Sequence, residues 1–203
     1  KAKKLPIYIW GNGACTDDGA SVKGHLLEIA SHGYLVIAPG YVGEQLAKVQ
    51  AARGPRAEGA PLTVPTSVKD LRDGLDWAVA QNTRPGSKYR GLLDTDAIAA
   101  SGFSCGGVQA IDLASSDPRV TALIVQNSGL FADGSPRLPG MDTPKSALAK
   151  LRMPVLYLMG GPTDIAWANG RDDFARINSV PAVMVALPVG HGGTYCDPHG
   201  GAA

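Results

Sequence analysis

The chemistry in this sequence is concentrated at Gly102-Phe103-Ser104-Cys105-Gly106, a G-x-S-x-G segment between an apolar run at 97–100 and a helical stretch. A strand entering a tight turn and leaving as a helix is the context that a nucleophile elbow requires. Such a turn holds Ser104 in strained backbone geometry with its hydroxyl exposed. Side chains at 102 and 106 would meet neighbouring backbone, which accounts for Gly102 and Gly106. The helix that follows aims its first N–H groups at any developing negative charge. A serine hydroxyl is a poor nucleophile until a base takes its proton, so a histidine must stand beside it. The sequence has His25, His32, His191 and His199. His191 is the candidate, because Pro188-Val189-Gly190-His191-Gly192-Gly193 follows the last apolar run, where a loop can carry the imidazole over the sheet edge. Asp164 follows another run through Gly160-Gly161-Pro162-Thr163 and is placed to orient His191 and stabilise its imidazolium. Asp172 and Asp173 are rivals, but the pattern puts them at a polar helix start, where carboxylates serve the helix dipole.

A carbonyl attacked by Ser104 becomes an oxyanion, which needs two converging N–H donors. The backbone N–H of Cys105 is one. The other is expected from Gly11-Asn12-Gly13-Ala14, after the first apolar run, at Asn12 or Gly13. A phosphate loop is the rival for that segment, but the dinucleotide pattern needs glycine where Thr16 stands, and no Gly-Lys-Ser/Thr follows. Asn127 and Phe131, after a further run, and Trp167, just beyond Asp164, are expected to line the cleft, although Trp167 is equally suited to core packing.

These residues need a scaffold. Continuous apolar runs at 7–10, 35–38, 97–100, 122–125, 155–159 and 182–187 read as strands buried on both faces. Helical spacing appears at Val22, Leu26, Ile29 and Ala30, and more strongly at Val68, Leu71, Leu75, Ala78 and Val79. Ser67 with Asp70 makes a capping-box-like start to the second of these. Further helices are expected at 44–53, 106–114, 144–150 and 171–177. Strands alternating with helices predict a parallel sheet with right-handed crossovers, an α/β fold.

The 203 residues suit a single domain over 1–203. Hydrophobic residues make up 44% of the chain and charged ones 18%, with net charge +1, so disorder is excluded as the overall class and no electrostatic case exists for nucleic acid. No apolar run approaches the ~20 residues of a membrane span. Lys1-Ala2-Lys3-Lys4 reads as a basic lead-in to a strand rather than as a signal peptide. Three cysteines are too few for a disulfide scaffold and too scattered for structural zinc. His191, Cys196, Asp197 and His199 look only faintly like a metal site, with His191 already committed, so no metal is expected.

Taken together, the block 102–107, the run ending at Asp164, the Gly190-His191-Gly192-Gly193 loop and the phrase Glu28-Ile29-Ala30-Ser31-His32-Gly33-Tyr34-Leu35-Val36-Ile37-Ala38 resemble the α/β-hydrolase superfamily. Within it they are similar to the dienelactone hydrolase, chlorophyllase-like, cutinase and polyester hydrolase group. The resemblance implies a three-layer fold with a mainly parallel sheet and little or no lid, and the chain order Ser104, Asp164, His191. It implies serine ester hydrolysis through an acyl-enzyme, without a cofactor, on a small-molecule or polymeric ester. Dienelactone-type, thioesterase or peptidase activity and a non-catalytic binding role on the same fold are the alternatives. The chain departs from the family in carrying Cys105 after the nucleophile and in lacking the usual earlier strands and closing helix. Either this is a pared-down hydrolase or both natural ends fall outside the sequence shown; in the second case an open edge and an uncovered face are expected, with marginal stability or weak homodimerisation through that surface. Because Cys15 and Cys105 sit on two loops that must reach one oxyanion hole, their Cα atoms can fall within disulfide range; two separate buried thiols are the alternative. A bridge there implies an oxidising compartment, secreted or periplasmic, and its absence leaves a cytoplasmic location open.

Overall fold

A computed structural model describes residues 4–55, 58–59, 63–135 and 139–192. Cys196, Asp197 and His199 lie outside the described residues.

Six strands form one sheet: β1 (Leu5–Gly11), β2 (Leu35–Ile37), β3 (Leu93–Phe103), β4 (Ala122–Gln126), β5 (Val155–Met159) and β6 (Ala182–Ala186). Their order is β2-β1-β3-β4-β5-β6 and every pairing is parallel. Between them run α1 (Lys23–Ser31), α2 (Gly43–Arg53), α3 (Val68–Thr83), α4 (Cys105–Ser116) and α5 (Trp167–Arg176). The two-residue side-chain period of a strand is visible in β1. Ile7 and Ile9 join a core with Leu71 and Leu75 of α3 and with Val108 and Ile111 of α4, whereas Tyr8 and Trp10 pack with Leu26 of α1 on the opposite face. Helices therefore lie on both sides of the sheet, as all-parallel sheets require.

Ser67 starts α3 as expected: its N–H donates to the Asp70 carboxylate at 2.8 Å, so the shorter acid replaces the usual Glu in that half of a capping box. Other expectations are corrected. The helix expected at 144–150 is a 3₁₀ helix over Lys145–Lys150. Helix α5 begins at Trp167, which moves Asp172 and Asp173 away from its N-terminus; they bind Lys145 instead of serving the dipole. Nor is every strand buried on both faces. β6 ends the sheet, where Ala182 and Met184 pack on the core while Val183 and Val185 are 58% and 44% exposed.

After β2 the chain crosses β1 to continue on its other side at β3. The strand order therefore reverses between β1 and β3, and it is there, beyond the carboxyl ends of the strands, that open α/β sheets place their ligand crevice. Gly11 and Gly102 are register partners at that point. The segments Asn12–Gly13 and Ser104–Cys105 leave the sheet side by side.

Candidate active site

Ser104 leaves β3 with φ 53° and ψ −122°, a left-handed conformation that non-glycine residues adopt only when their surroundings impose it. Here the surroundings are backbone. The Ser104 N–H donates to the Gln126 carbonyl at 3.0 Å, and the Ser104 carbonyl accepts from the Gly107 N–H at 2.9 Å and the Ser128 hydroxyl at 2.6 Å. A Cβ at Gly102 would lie 2.2 Å from the Gly106 carbonyl oxygen, and one at Gly106 would lie 2.0 Å from that of Gly11. The turn closes only with glycine at both positions.

The loop after β6 brings His191 Nε2 to 3.0 Å from Ser104 Oγ, and His191 Nδ1 lies 2.6 Å from Asp164 Oδ1. With Nδ1–H donating to the carboxylate, Nε2 is left to accept the serine proton. The imidazole ring rests against Phe103, centroids 5.2 Å apart. Asp164 is buried after β5. Its Oδ1 also accepts from the Ala166 N–H at 2.9 Å; Oδ2 accepts from the Gly160 N–H at 3.1 Å and from Asn127 Nδ2 at 2.9 Å. Burial pushes the Asp164 pKa up, but the Ala166 N–H, His191, the Gly160 N–H and the Asn127 amide outweigh it and hold the carboxyl below its ordinary value. It is a carboxylate wherever the fold persists near neutral pH.

On the far side of Ser104, Cys105 is the first residue of α4, a position whose backbone N–H has no partner one turn back in the helix. Cys105 is disulfide-bonded to Cys15, with Cα atoms 5.3 Å apart. Cys15 ends a single 3₁₀ turn over Gly13–Cys15, in which Ala14 and Cys15 have φ 51° and 47°. The turn is secured from three sides. Asn12 Nδ2 donates to the Thr16 and Pro39 carbonyls at 2.9 Å each, Thr66 donates its N–H and hydroxyl to the Cys15 carbonyl, and Gln109 Nε2 reaches Cys15 Sγ at 2.9 Å.

This architecture has counterparts among solved structures. A protein described as a dienelactone hydrolase, from Klebsiella pneumoniae subsp. pneumoniae, superposes with a TM-score of 0.61 at 20% identity, covering 94% of this chain and 77% of its own. A dienelactone hydrolase from Anabaena variabilis superposes with a TM-score of 0.57 at 15% identity, covering 98% of this chain and 81% of its own. The fold is that of the α/β-hydrolases. No family model and no curated protein matches the sequence itself.

On this α/β-hydrolase scaffold a cavity of about 160 Å³ opens beside Ser104 and His191. Phe131, Met141, Ile165 and Ala166 make most of its wall, with Asn127 and Asn169 among its polar lining. Of the three expected cleft residues, Phe131 is in that wall. Asn127 borders it too, but its amide nitrogen is turned away into Asp164 and the Gly190 carbonyl. Trp167 packs on the core with the Arg171 guanidinium over its ring, and Ile165 and Ala166 form the wall in its place. Sequence reasoning passed over Ile165, although a large apolar residue next to Asp164 in a loop is a readable signal; at 80% exposure it is not there for the core. Met141 could not be found that way, since it arrives from a separate loop.

Proposed function

We propose that this chain is a carboxylic ester hydrolase that works through an acyl-enzyme. The observation that carries the reading is the continuous relay Ser104 Oγ, His191 Nε2/Nδ1, Asp164 Oδ1, with spacings of 3.0 and 2.6 Å, at the crevice of an α/β-hydrolase fold. Ser104 Oγ attacks the ester carbonyl carbon while His191 Nε2 takes its proton. Asp164 stays ionised and stabilises the imidazolium. The backbone N–H of Cys105 and that of Asn12 or Gly13 stabilise the oxyanion. Collapse of the tetrahedral species breaks the bond to the alkoxy oxygen, which leaves with the proton from His191. Water then attacks the acyl carbon, giving its proton back through His191, and the acid departs as Ser104 is restored.

The apolar wall of Phe131, Met141 and Ile165 suits a short acyl or aryl group, and the exposed Ile165 rim admits an accessible or polymeric ester. The similar structures described as dienelactone hydrolases favour a second reading, ring-opening of an enol lactone by the same three side chains. The Cys15–Cys105 bond supports an oxidising, secreted or periplasmic location.

The test is labelling by a fluorophosphonate together with a panel of p-nitrophenyl esters, an aryl polyester, a dienelactone and an aminoacyl anilide. Wild type should be labelled and should hydrolyse esters, and Ser104→Ala should do neither. Labelling that persists in Ser104→Ala would sink the assignment, and turnover of the lactone alone would move it to the second reading.

A further inference from the structure

Asn127 follows β4 and supplies no group to the relay, yet its side chain touches two of the loops that build it. It is buried and has φ 45°, and its own N–H donates to the Leu158 carbonyl at 2.7 Å, so its backbone is fixed against β5. Asn127 Nδ2 donates to Asp164 Oδ2 at 2.9 Å and to the carbonyl of Gly190, the residue before His191, at 3.1 Å. Gly160 completes the hub: its N–H donates to Asp164 and its carbonyl accepts from the Gly190 N–H at 2.8 Å. A Cβ there would lie 1.9 Å from the Gly190 oxygen and 2.7 Å from Asn127 Nδ2. The glycine therefore leaves the space that the amide and the histidine loop occupy.

We propose that Asn127 is a positioning residue: its amide fixes which Asp164 oxygen faces His191 and ties down the loop that delivers the imidazole, an inference that rests on the esterase reading above. One carboxylate oxygen is taken by Asn127 and Gly160, so the other is left for His191 Nδ1. A neutral donor serves here because a second carboxylate at that spot would repel the first. The left-handed backbone also accounts for the residue type, since asparagine tolerates that region better than most side chains and still reaches an acceptor.

Two substitutions test this. Asn127→Gly keeps the backbone conformation accessible and deletes the amide. Outer partners that orient metal-ligating histidines are worth about 10–100-fold; by the same orienting argument kcat should fall by about that factor while KM changes little. The downfield Nδ1–H proton resonance expected from the 2.6 Å His191–Asp164 bond should shift or broaden away. Asn127→Asp keeps the shape but sets an introduced carboxyl against Asp164. While protonated it can make one of the amide's two donations, to Asp164 or to the Gly190 carbonyl, and once ionised it makes neither and repels Asp164, so kcat/KM should acquire a descending alkaline limb that wild type lacks. Asn82→Gly is the structural control, because Asn82 bonds both the N–H and the carbonyl of Leu93 away from the site; it should lower stability without moving the resonance. If Asn127→Gly retains wild-type kcat and resonance, or Asn127→Asp retains the wild-type pH profile, the positioning role is wrong. If Asn127→Gly does not fold, the pH profile of Asn127→Asp decides. Ester hydrolysis surviving in Ser104→Ala would instead overturn the reading on which this role rests.

Discussion

Cys15 and Cys105, 90 positions apart, are joined across the gap between the loop after β1 and the first turn of α4, the two segments that flank Ser104. The bond ties together the backbone N–H groups proposed to hold the oxyanion. Preorganised donors stabilise the transition state without reorganising during the reaction, so the bridge should act on the chemical step. Reduction, or the Cys15→Ala/Cys105→Ala pair, should lower kcat more than it raises KM, since Phe131, Met141 and Ile165 still wall the cavity. Stability should drop by about 2–5 kcal/mol. Denaturant melts and steady-state kinetics with and without reductant measure both, and an unchanged kcat in the reduced, folded protein would refute the coupling.

Asp164→Asn leaves the shape of the acid intact but removes the charge facing His191. The Gly160 and Ala166 N–H groups still find an oxygen, or lose their partner, according to how the new amide turns. With the imidazole tautomer no longer enforced, kcat should fall by roughly 10⁴-fold, with the far-ultraviolet circular dichroism unchanged. Loss of less than tenfold would mean that Asp164 does not orient the base.

Another buried carboxylate, Asp173, predicts a stability effect with the opposite sign to the usual one. Asp173 is fully buried; it pairs with Lys145 and accepts the Leu130 N–H at 2.7 Å. Burial nonetheless raises its pKa to about 6, with Lys145 opposing. The folded state therefore binds a proton between about pH 4 and 6 that the unfolded chain releases, taking an ordinary aspartate at about 3.9. That contribution is fully present below the unfolded value and is lost as pH rises through about 6. In Asp17, Asp117 and Asp164 the pKa is lowered, and their contributions run the other way, being lost only in stronger acid. Chemical denaturation at pH 7 and pH 5 should show wild type gaining stability at the lower pH relative to Asp173→Asn. Parallel responses of the two would contradict it.

Ile165 tests the cavity. It is 80% exposed, so Ile165→Ser should alter stability by no more than about 0.5 kcal/mol. Apolar contact with substrate is worth about 1–3 kcal/mol per methylene-sized change, so kcat/KM for aryl or butyryl esters should fall about tenfold or more, with acetate esters least affected. Equal losses for all esters would exclude Ile165 from the acyl or aryl contact.

Much of the scaffold was written in short-range pattern. Six continuous apolar runs separated by helical spacing mark an α/β sheet by themselves, although the last of them, β6, lies at the sheet edge with Val183 and Val185 exposed. Gly102 and Gly106 around Ser104 announce an elbow for an equally local reason, since no Cβ fits beside that turn. The Ser104, Asp164 and His191 positions were legible because each follows an apolar run through glycine, and a parallel sheet gathers all such loops at one edge. What the chain does with the remaining polar residues depended on contacts between distant segments. Asp173 reads as a helix-start carboxylate until the 3₁₀ helix brings Lys145 against it. Asn127 reads as a cleft residue until β4, β5 and β6 lie side by side and turn its amide onto Asp164 and Gly190. Trp167 reads equally as cleft or core, and the start of α5 decides for the core. Local sequence determines what a segment can be; which neighbour satisfies a buried hydrogen-bonding group is settled only when the tertiary fold brings the partners together.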